Sequence, residues 1–295
     1  MTIGGRSYVL KHLGVEHDWV ARASGDLSYR PLVLWRSRLL ERLPGCLDDT
    51  IVGCAYKRSA PGAAILMRHV TSHLVRPGDS TLPMRQHRTF LDHMTALHAT
   101  FWGFEDTVGL LPLSTRYLLL SPWVADLEVA RGGTHPVPTS LVSEGWRRLA
   151  ALAPDAHVLV TELLAAPDAL VDTSAASPTT FIHGDWKAGN LGTAPDGATI
   201  LLDWATPGAA PACVDLAHYL VLNAARLPEP KEAAIDAYRR SLERRGVTTS
   251  PWWPMQLDLC LLGTFLMFGW EKALGDREEL AWWRERVMVA ARWLP

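Results

Sequence analysis

The sequence predicts an α+β fold, a small β-rich N-terminal part followed by a larger, mainly helical C-terminal part. Three observations carry that expectation. Short apolar runs bounded by Pro and Gly crowd into the first seventy residues. From residue 84 onward, apolar side chains recur at helical spacing. Only two brief β-like runs, Thr179–Ile182 and Thr199–Leu202, interrupt those helices.

The elements follow in order. Ser7–Leu13 reads as a strand. Leu32, Trp35, Leu39 and Leu43 lie at helical spacing and predict one helix over 32–43, stopped by Pro44-Gly45. Thr50–Lys57 and Ala63–Val70 read as strands around a Ser59-Ala60-Pro61-Gly62 turn. A connector near residue 70 divides the chain into a part spanning 1–70 and a part spanning 71–295. Pro77-Gly78-Asp79-Ser80 is loop chemistry, and Pro83 opens a helix whose stripe is Phe90, Leu91, Met94, Leu97 and Phe101. Helices are expected at about 140–152 and 157–171 and, beyond the β insert, at 213–226, 230–244, 254–274 and 278–293. The segment Arg131–Pro138 reads as the most flexible internal stretch.

Composition narrows the function. The 295 residues hold 29 Lys+Arg against 31 Asp+Glu, a formal net charge of −2. Basic pairs such as Arg147–Arg148 and Arg239–Arg240 are scattered among acids, so binding of nucleic acid through bulk charge is not expected. Cys46, Cys54, Cys213 and Cys260 form no C-x-x-C pair and read as free thiols in a reducing cytoplasm. The N-terminus has no apolar leader core, and Leu259–Trp270, bracketed by Asp258 and Glu271, is too short to span a bilayer. A cytoplasmic protein with no membrane partner is the expectation. Oligomeric state leaves no mark on the sequence.

The chemistry concentrates in Phe181-Ile-His-Gly-Asp-Trp-Lys-Ala-Gly-Asn-Leu-Gly192, followed by Ile200-Leu-Leu-Asp-Trp204. Asp185 and Asp203 each follow a β-like run, which places them on turns at strand ends. Phosphoryl transfer from a nucleotide needs a carboxylate to orient the acceptor hydroxyl, oxygen ligands for Mg²⁺, and a cation near the transferred group. Asp185 fits the base, Asn190 and Asp203 fit the Mg²⁺ ligands, and Lys187 fits the cation. His183 fits a brace for the loop. The glycines at 184, 189 and 192 suit a tight turn.

HGDWKAGN with LLDWATPG resembles the aminoglycoside phosphotransferase and choline kinase-like phosphotransferase family, which is similar in fold to the protein kinases. The resemblance is firm from about 179 to 220 and diffuse elsewhere. It implies a two-lobed kinase-like architecture with ATP or GTP between the lobes and a small-molecule hydroxyl as acceptor. It implies Asp185 as base and Asn190 and Asp203 as Mg²⁺ ligands. Asp215, in Val214-Asp-Leu-Ala217, matches the aspartate that supports the catalytic loop. Tyr8-Val-Leu-Lys11 is similar to the strand whose lysine holds the nucleotide phosphates, and Leu66-Met-Arg68-His69-Val70 to the hinge that meets the adenine.

The chain also departs from that pattern. Ten residues precede Lys11, too few for the hairpin and phosphate-covering loop that the resemblance implies. Gly4-Gly5 is its remnant, through a lost lid or a start downstream of the true one. Glu41 and Glu16 are the acidic candidates for pairing with Lys11. A non-catalytic nucleotide-binding protein is therefore the second reading of the whole.

Plainer readings stand beside each residue. Lys11 suits an edge strand blunted against aggregation. Asp185, Asn190 and Asp203 suit turns as Asx residues. Lys187 reads equally as a solvated loop lysine. His69 and His73 are four apart, but no third ligand at metal spacing follows. His93 and His98 read as polar or packing residues, and most of the thirteen tryptophans as core. The P-loop, dinucleotide, zincin and nucleophile-elbow signatures are missing. From residue 216 onward ten acids face eleven bases, so no acidic bias favours a polycationic acceptor.

Overall fold

A computed structural model describes residues 1–57 and 62–295 of the chain. The N-terminal part contains β1 (Thr2–Ile3), β2 (Arg6–Leu13), α1 (Trp19–Ala23), α2 (Arg30–Arg36), β3 (Leu47–Asp48), β4 (Ile51–Tyr56) and β5 (Ala63–Arg68). Four of the strands form an antiparallel sheet in the order β1-β2-β5-β4, with Lys11 opposite Ile65. Gly4 and Gly5 both adopt positive φ, 55° and 77°, and close a tight hairpin between β1 and β2. The expected Ser59–Pro61 portion of the β4–β5 turn lies outside the described residues. Leu13, Ala63 and Ile65 pack with Tyr29 and Leu32 into a small core of their own.

The single helix expected over 32–43 is instead α2 and a separate 3-10 turn, Leu40–Arg42. Arg38 takes the left-handed conformation (φ 59°), Leu39 N–H donates to Leu34 O, and Arg38 N–H donates to Trp35 O. This is a Schellman end. A residue other than Gly occupies its left-handed position, so the sequence carries no stop signal there. The turn buries both Leu39 and Leu40.

The C-terminal part is built from α3 (Met84–Thr100), α4 (Leu113–Leu118), α5 (Pro122–Ala130), α6 (Val142–Leu152), α7 (Pro154–Ala165) and α8 (Asp168–Ser174), then β6 (Thr179–Ile182), β7 (Leu191–Thr193), β8 (Thr199–Leu201) and β9 (Gly208–Pro211), then α9 (Cys213–Leu222), α10 (Lys231–Arg244), α11 (Trp253–Leu274) and α12 (Arg277–Ala290). The helix expected at 157–171 is two helices, α7 and α8, because Pro167 cannot continue the first. Along α11 only Pro254, Met255, Glu271 and Leu274 escape burial, so this apolar run is the central helix of the large core. Among the described residues, no helix is long and apolar enough to cross a membrane.

Two small sheets carry the chemistry-bearing loops. β6 pairs antiparallel with β9, and β7 and β8 form a hairpin to which β3 adds in parallel. The chain from β6 to β7 contains Asp185 and Asn190, and the chain leaving β8 contains Asp203. Leu202 N–H donates to Asn190 O at 2.9 Å, tying the two loops together.

Candidate active site

The loop after β6 is held from below. Asp215, fully buried on the first turn of α9, accepts the N–H groups of His183 (2.8 Å) and Gly184 (2.7 Å) on its two carboxylate oxygens. His98 Nε2 lies 3.2 Å from the same carboxylate, and its Nδ1 lies 2.5 Å from the Tyr238 hydroxyl. Burial pushes the Asp215 carboxyl up, but the His98 hydrogen bond and charge together with the Gly184 N–H outweigh it and hold the group below its ordinary value. Gly184 sits at φ 81°, and a Cβ there would lie 2.0 Å from Thr206 O and against the Arg116 guanidinium. Arg116, from α4, is buried; its Nη1 donates to Gly184 O at 2.9 Å and its Nη2 to Thr206 O. Burial lowers its pKa to about 10, which leaves it charged at neutral pH. His183 Nδ1 accepts the N–H of Asp185 at 3.2 Å, and its ring meets the rings of Trp204 and Trp186 edge-on. Burial lowers its pKa, in keeping with a neutral ring that accepts.

Asp185 stands at the top of this frame with both oxygens engaged. Oδ1 lies 2.9 Å from His218 Nε2, while Oδ2 accepts from Asn190 Nδ2 at 2.7 Å and pairs with Lys187 Nζ at 2.8 Å. Burial pushes this carboxyl up; the His218 hydrogen bond and the Lys187 charge overcome burial and hold it far below the usual carboxylate range. Asp185 is thus ionised throughout the physiological range. Asn190 spends its amide N–H groups on the Asp185 carboxylate and on Asp185 O (3.0 Å), which leaves its Oδ1 as an acceptor.

Asp203 follows β8 at φ 61°, a left-handed conformation that aspartate tolerates better than most residues. Its Oδ1 pairs with Lys11 Nζ at 2.9 Å, and both side chains are partly exposed. This settles the partner of Lys11 against the expectation from sequence: Glu41 is exposed and pairs with Arg38 on its own turn. Asn190, Asp203 and Lys11 line one cavity of about 200 Å³ together with Asp49, Ile51, Ile65, Met67 and Leu202. An amide oxygen and a carboxylate are hard donors of the kind Mg²⁺ takes. Among the described residues no group of three or more His, Cys, Asp or Glu side chains is placed to hold a metal unaided. That fits an ion completed by substrate phosphates and water.

The structure does not bring Arg68, His69 and Val70 into this cavity, whose wall at that point is Met67. Arg68 pairs through its side chain with Asp48 and donates its N–H to Thr50 O, and His69 N–H donates to Ser7 O, continuing the sheet. The sheet thus engages the N–H groups of Arg68 and His69. His69 Nε2 lies 3.1 Å from the Thr71 hydroxyl.

Sequence reasoning misses Arg116 and His218 and reads His98 as a polar or packing residue. Each lies on a helix far from the loop in sequence, and none belongs to a spaced motif. A buried arginine in Leu113–Leu118 and a histidine three residues after Asp215 were the available signals.

Asp185, Lys187 and His218 also form one end of a second cavity of about 490 Å³, bounded by α1, α11 and the π-helical turn Val137–Leu141. The two cavities meet at Asp203.

The phosphotransferase enzyme family profile matches residues 124–247, which span every one of these loop residues. No curated protein matches the chain in sequence. Among solved structures, the choline kinase LicA from Streptococcus pneumoniae superposes with a TM-score of 0.53 at 14% identity, covering 99% of this chain and 87% of the kinase. Its complex with AMP gives a TM-score of 0.52, also at 14% identity, covering 98% and 84% of the two chains. A microcompartment-associated aminopropanol kinase gives 0.52 at 14% identity, with 97% and 84% covered. In the profile of residues 124–247 and in its kinase-like α+β fold, the chain resembles the aminoglycoside phosphotransferase and choline kinase-like phosphotransferases.

Proposed function

We propose that the protein transfers the γ-phosphoryl group of ATP, or of GTP, to a hydroxyl of a small molecule. The nucleotide lies between the part spanning 1–70 and the part spanning 71–295, with its phosphates toward Lys11 and its base toward Ile51, Ile65 and Met67. The observation that carries this reading is the meeting of Lys11, Asp185, Asn190 and Asp203 at the junction of the two cavities. The AMP bound by the structurally similar choline kinase supports the nucleotide.

Asn190 Oδ1 and Asp203 would hold Mg²⁺, which on binding would screen phosphate charge. Lys11 exchanges its partner Asp203 for phosphate oxygens. Asp185 accepts a hydrogen bond from the acceptor O–H. As the acceptor oxygen bonds to phosphorus, the bond from phosphorus to the bridging oxygen breaks, the proton passes to Asp185, and the nucleoside diphosphate leaves. Lys187, which pairs with Asp185, offsets charge on the transferred group.

Mg·ATP binding followed by thermal shift, together with ATP consumption over a panel of hydroxylated metabolites, tests the proposal. Asp185→Asn is expected to cut transfer by about 10²–10⁴-fold while leaving the nucleotide Kd within about twofold. Asp203→Ala is expected to remove the Mg²⁺ dependence of nucleotide binding. Unchanged turnover in the Asp185 variant defeats the assignment. Mg²⁺-dependent binding with no turnover on any acceptor identifies a non-catalytic binding protein instead.

A further inference from the structure

The cavity of about 490 Å³ has the volume of a site for a drug-sized ligand, since such pockets run to about 300–1,000 Å³. Asp185, Lys187 and His218 occupy the end where transfer would occur. The remaining walls are overwhelmingly apolar and aromatic: Trp19, Leu119, Val137, Met267, Phe268 and Trp270. Besides Asp185 the cavity offers two carboxylates, Asp203, which lies 2.9 Å from Lys11 Nζ, and Glu271, which lies 2.7 Å from Lys272 Nζ. The other charged lining group, Arg116, is spent on two backbone carbonyls of the loop.

These walls have a consequence for the acceptor. A polycation entering them would give up hydration at several ammonium groups and find, besides Asp185, two carboxylates that each already face a lysine. Each uncompensated buried charge costs several kcal/mol, on the order of the whole affinity of a small ligand. An apolar body gains by the same walls, through burial of its surface against three aromatic rings. The Trp270 indole, 5% exposed, has no hydrogen-bond partner for its N–H among the described residues.

One wall belongs to the N-terminal part. Trp19 and Val20 lie on α1, and the Arg22 guanidinium fastens that helix to α5 by donating to Glu128 at 2.8 and 2.5 Å. The same guanidinium donates to Val15 O and Glu16 O, both at 2.8 Å. Trp19 is therefore held over the cavity by a fixed strap.

We propose that the phosphoryl acceptor is an uncharged alcohol with a bulky aromatic or alicyclic body, received between Trp19 and the Phe268–Trp270 wall with its hydroxyl at Asp185. This rests on the phosphotransferase reading above and goes further by naming the substrate class. The transfer balances as written there, with the alcohol O–H proton going to Asp185.

The full chain with saturating Mg·ATP is assayed against three sets of acceptors: neutral aryl and alicyclic alcohols of drug size, polyamino sugars, and small amino alcohols such as choline and aminopropanol. The neutral set is expected to contain acceptors with kcat/KM at least about tenfold above the best of either other set, a difference of about 1.4 kcal/mol in transition-state binding. Trp19→Ala is expected to raise KM for such an acceptor about tenfold with kcat and the Mg·ATP Kd unchanged, and Trp19→Phe to restore most of the loss. Preferential turnover of polyamino sugars or small amino alcohols overturns the substrate class while leaving the phosphotransferase reading intact. An unchanged KM in Trp19→Ala overturns it also, as does failure of the whole neutral set to bind or react while Mg·ATP still binds. Failure of Mg·ATP to bind at all defeats both readings.

Discussion

At Asp185 two opposing effects meet, and their balance is visible in neighbouring groups. Burial alone would raise a carboxyl, as it does at Asp49, whose pKa is pushed up to about 6. Asp49 Oδ1 accepts the Ile51 N–H at 2.7 Å, and that bond does not outweigh desolvation. Asp185 differs in receiving His218 and Lys187 on its oxygens. Different titration behaviour follows. For Asp49 the folded-state pKa lies above the unfolded one, so the native state binds more protons between about pH 4 and 6, and stability falls as pH rises through that window. Asp49→Asn keeps an oxygen for Ile51 and removes the charge. In nucleotide-free protein it is expected to raise Tm at pH 7.5 and to raise it clearly less at pH 4.5, as a pair of thermal melts would read. An equal gain at both pH values contradicts the ionisation argument. For Asp185 the depressed pKa means that an acid limb in kcat/KM near pH 6 arises from another group; a limb that moves with Asp185→Glu contradicts this.

The loop from β6 to β7 is shaped by helices that approach it from elsewhere in the chain. Asp215 on α9 takes two loop N–H groups, Arg116 on α4 takes one loop carbonyl, and His98 on α3 steadies Asp215. Arg116→Met keeps the bulk but leaves Gly184 O and Thr206 O without their donor in a buried place. Unsatisfied buried groups cost about 1–3 kcal/mol each, so urea unfolding is expected to show a loss of about 2–5 kcal/mol. Arg116→Lys, which cannot fork between two carbonyls, is expected to fall between. A Met variant as stable as the native protein contradicts the clamp. This architecture also explains what the sequence could and could not reveal. Asp185, Asn190, Asp203 and Asp215 lie within about thirty residues at spacings set by one turn and one hairpin, so a linear motif exposes them. Lys11 was legible as a lysine on a strand, but its partner was not, because Asp203 reaches it across 192 positions of sequence. Arg116 and His218 contribute through tertiary approach, and no spaced motif marks them. The ends of α2 and α7 follow the same division: Pro167 is a readable stop, whereas Arg38 in a left-handed turn is not.

Across the whole molecule, the N-terminal sheet and the helical part have separate cores, and few polar contacts span between them. Besides the backbone pairing of β3 with β8, three side chains make such contacts among the described residues: Lys11 to Asp203, Arg30 Nη1 to Ala205 O at 3.5 Å, and Arg22 to Glu128. They differ in strength for physical reasons. Lys11 and Asp203 are each partly in water, and exposed pairs contribute about 0–1 kcal/mol, so the pair can part when a nucleotide arrives. Glu128 is buried and meets Arg22 through two parallel bonds, a geometry that resists solvent. The Arg22 hydrogen bonds hold the Glu128 carboxyl below its ordinary value. The sign follows: the strap is intact above the unfolded-state pKa of a glutamate, near 4.3, and is lost as pH falls through the lower folded value. Opening the strap removes the polar tie of α1 and the segment leading to it, and leaves Trp19 and Ala23 as the α1 side chains packed against the large core. Amide-exchange protection factors, corrected for intrinsic rates, are therefore expected to drop over residues 15–24 in Arg22→Ala, with β6, α9 and α11 unchanged. Glu128→Gln keeps one acceptor and is expected to lose less. If Arg22→Ala instead lowers protection uniformly along the chain, the segment is part of the global folding unit, and Trp19 is fixed by the fold as a whole and not by this ion pair.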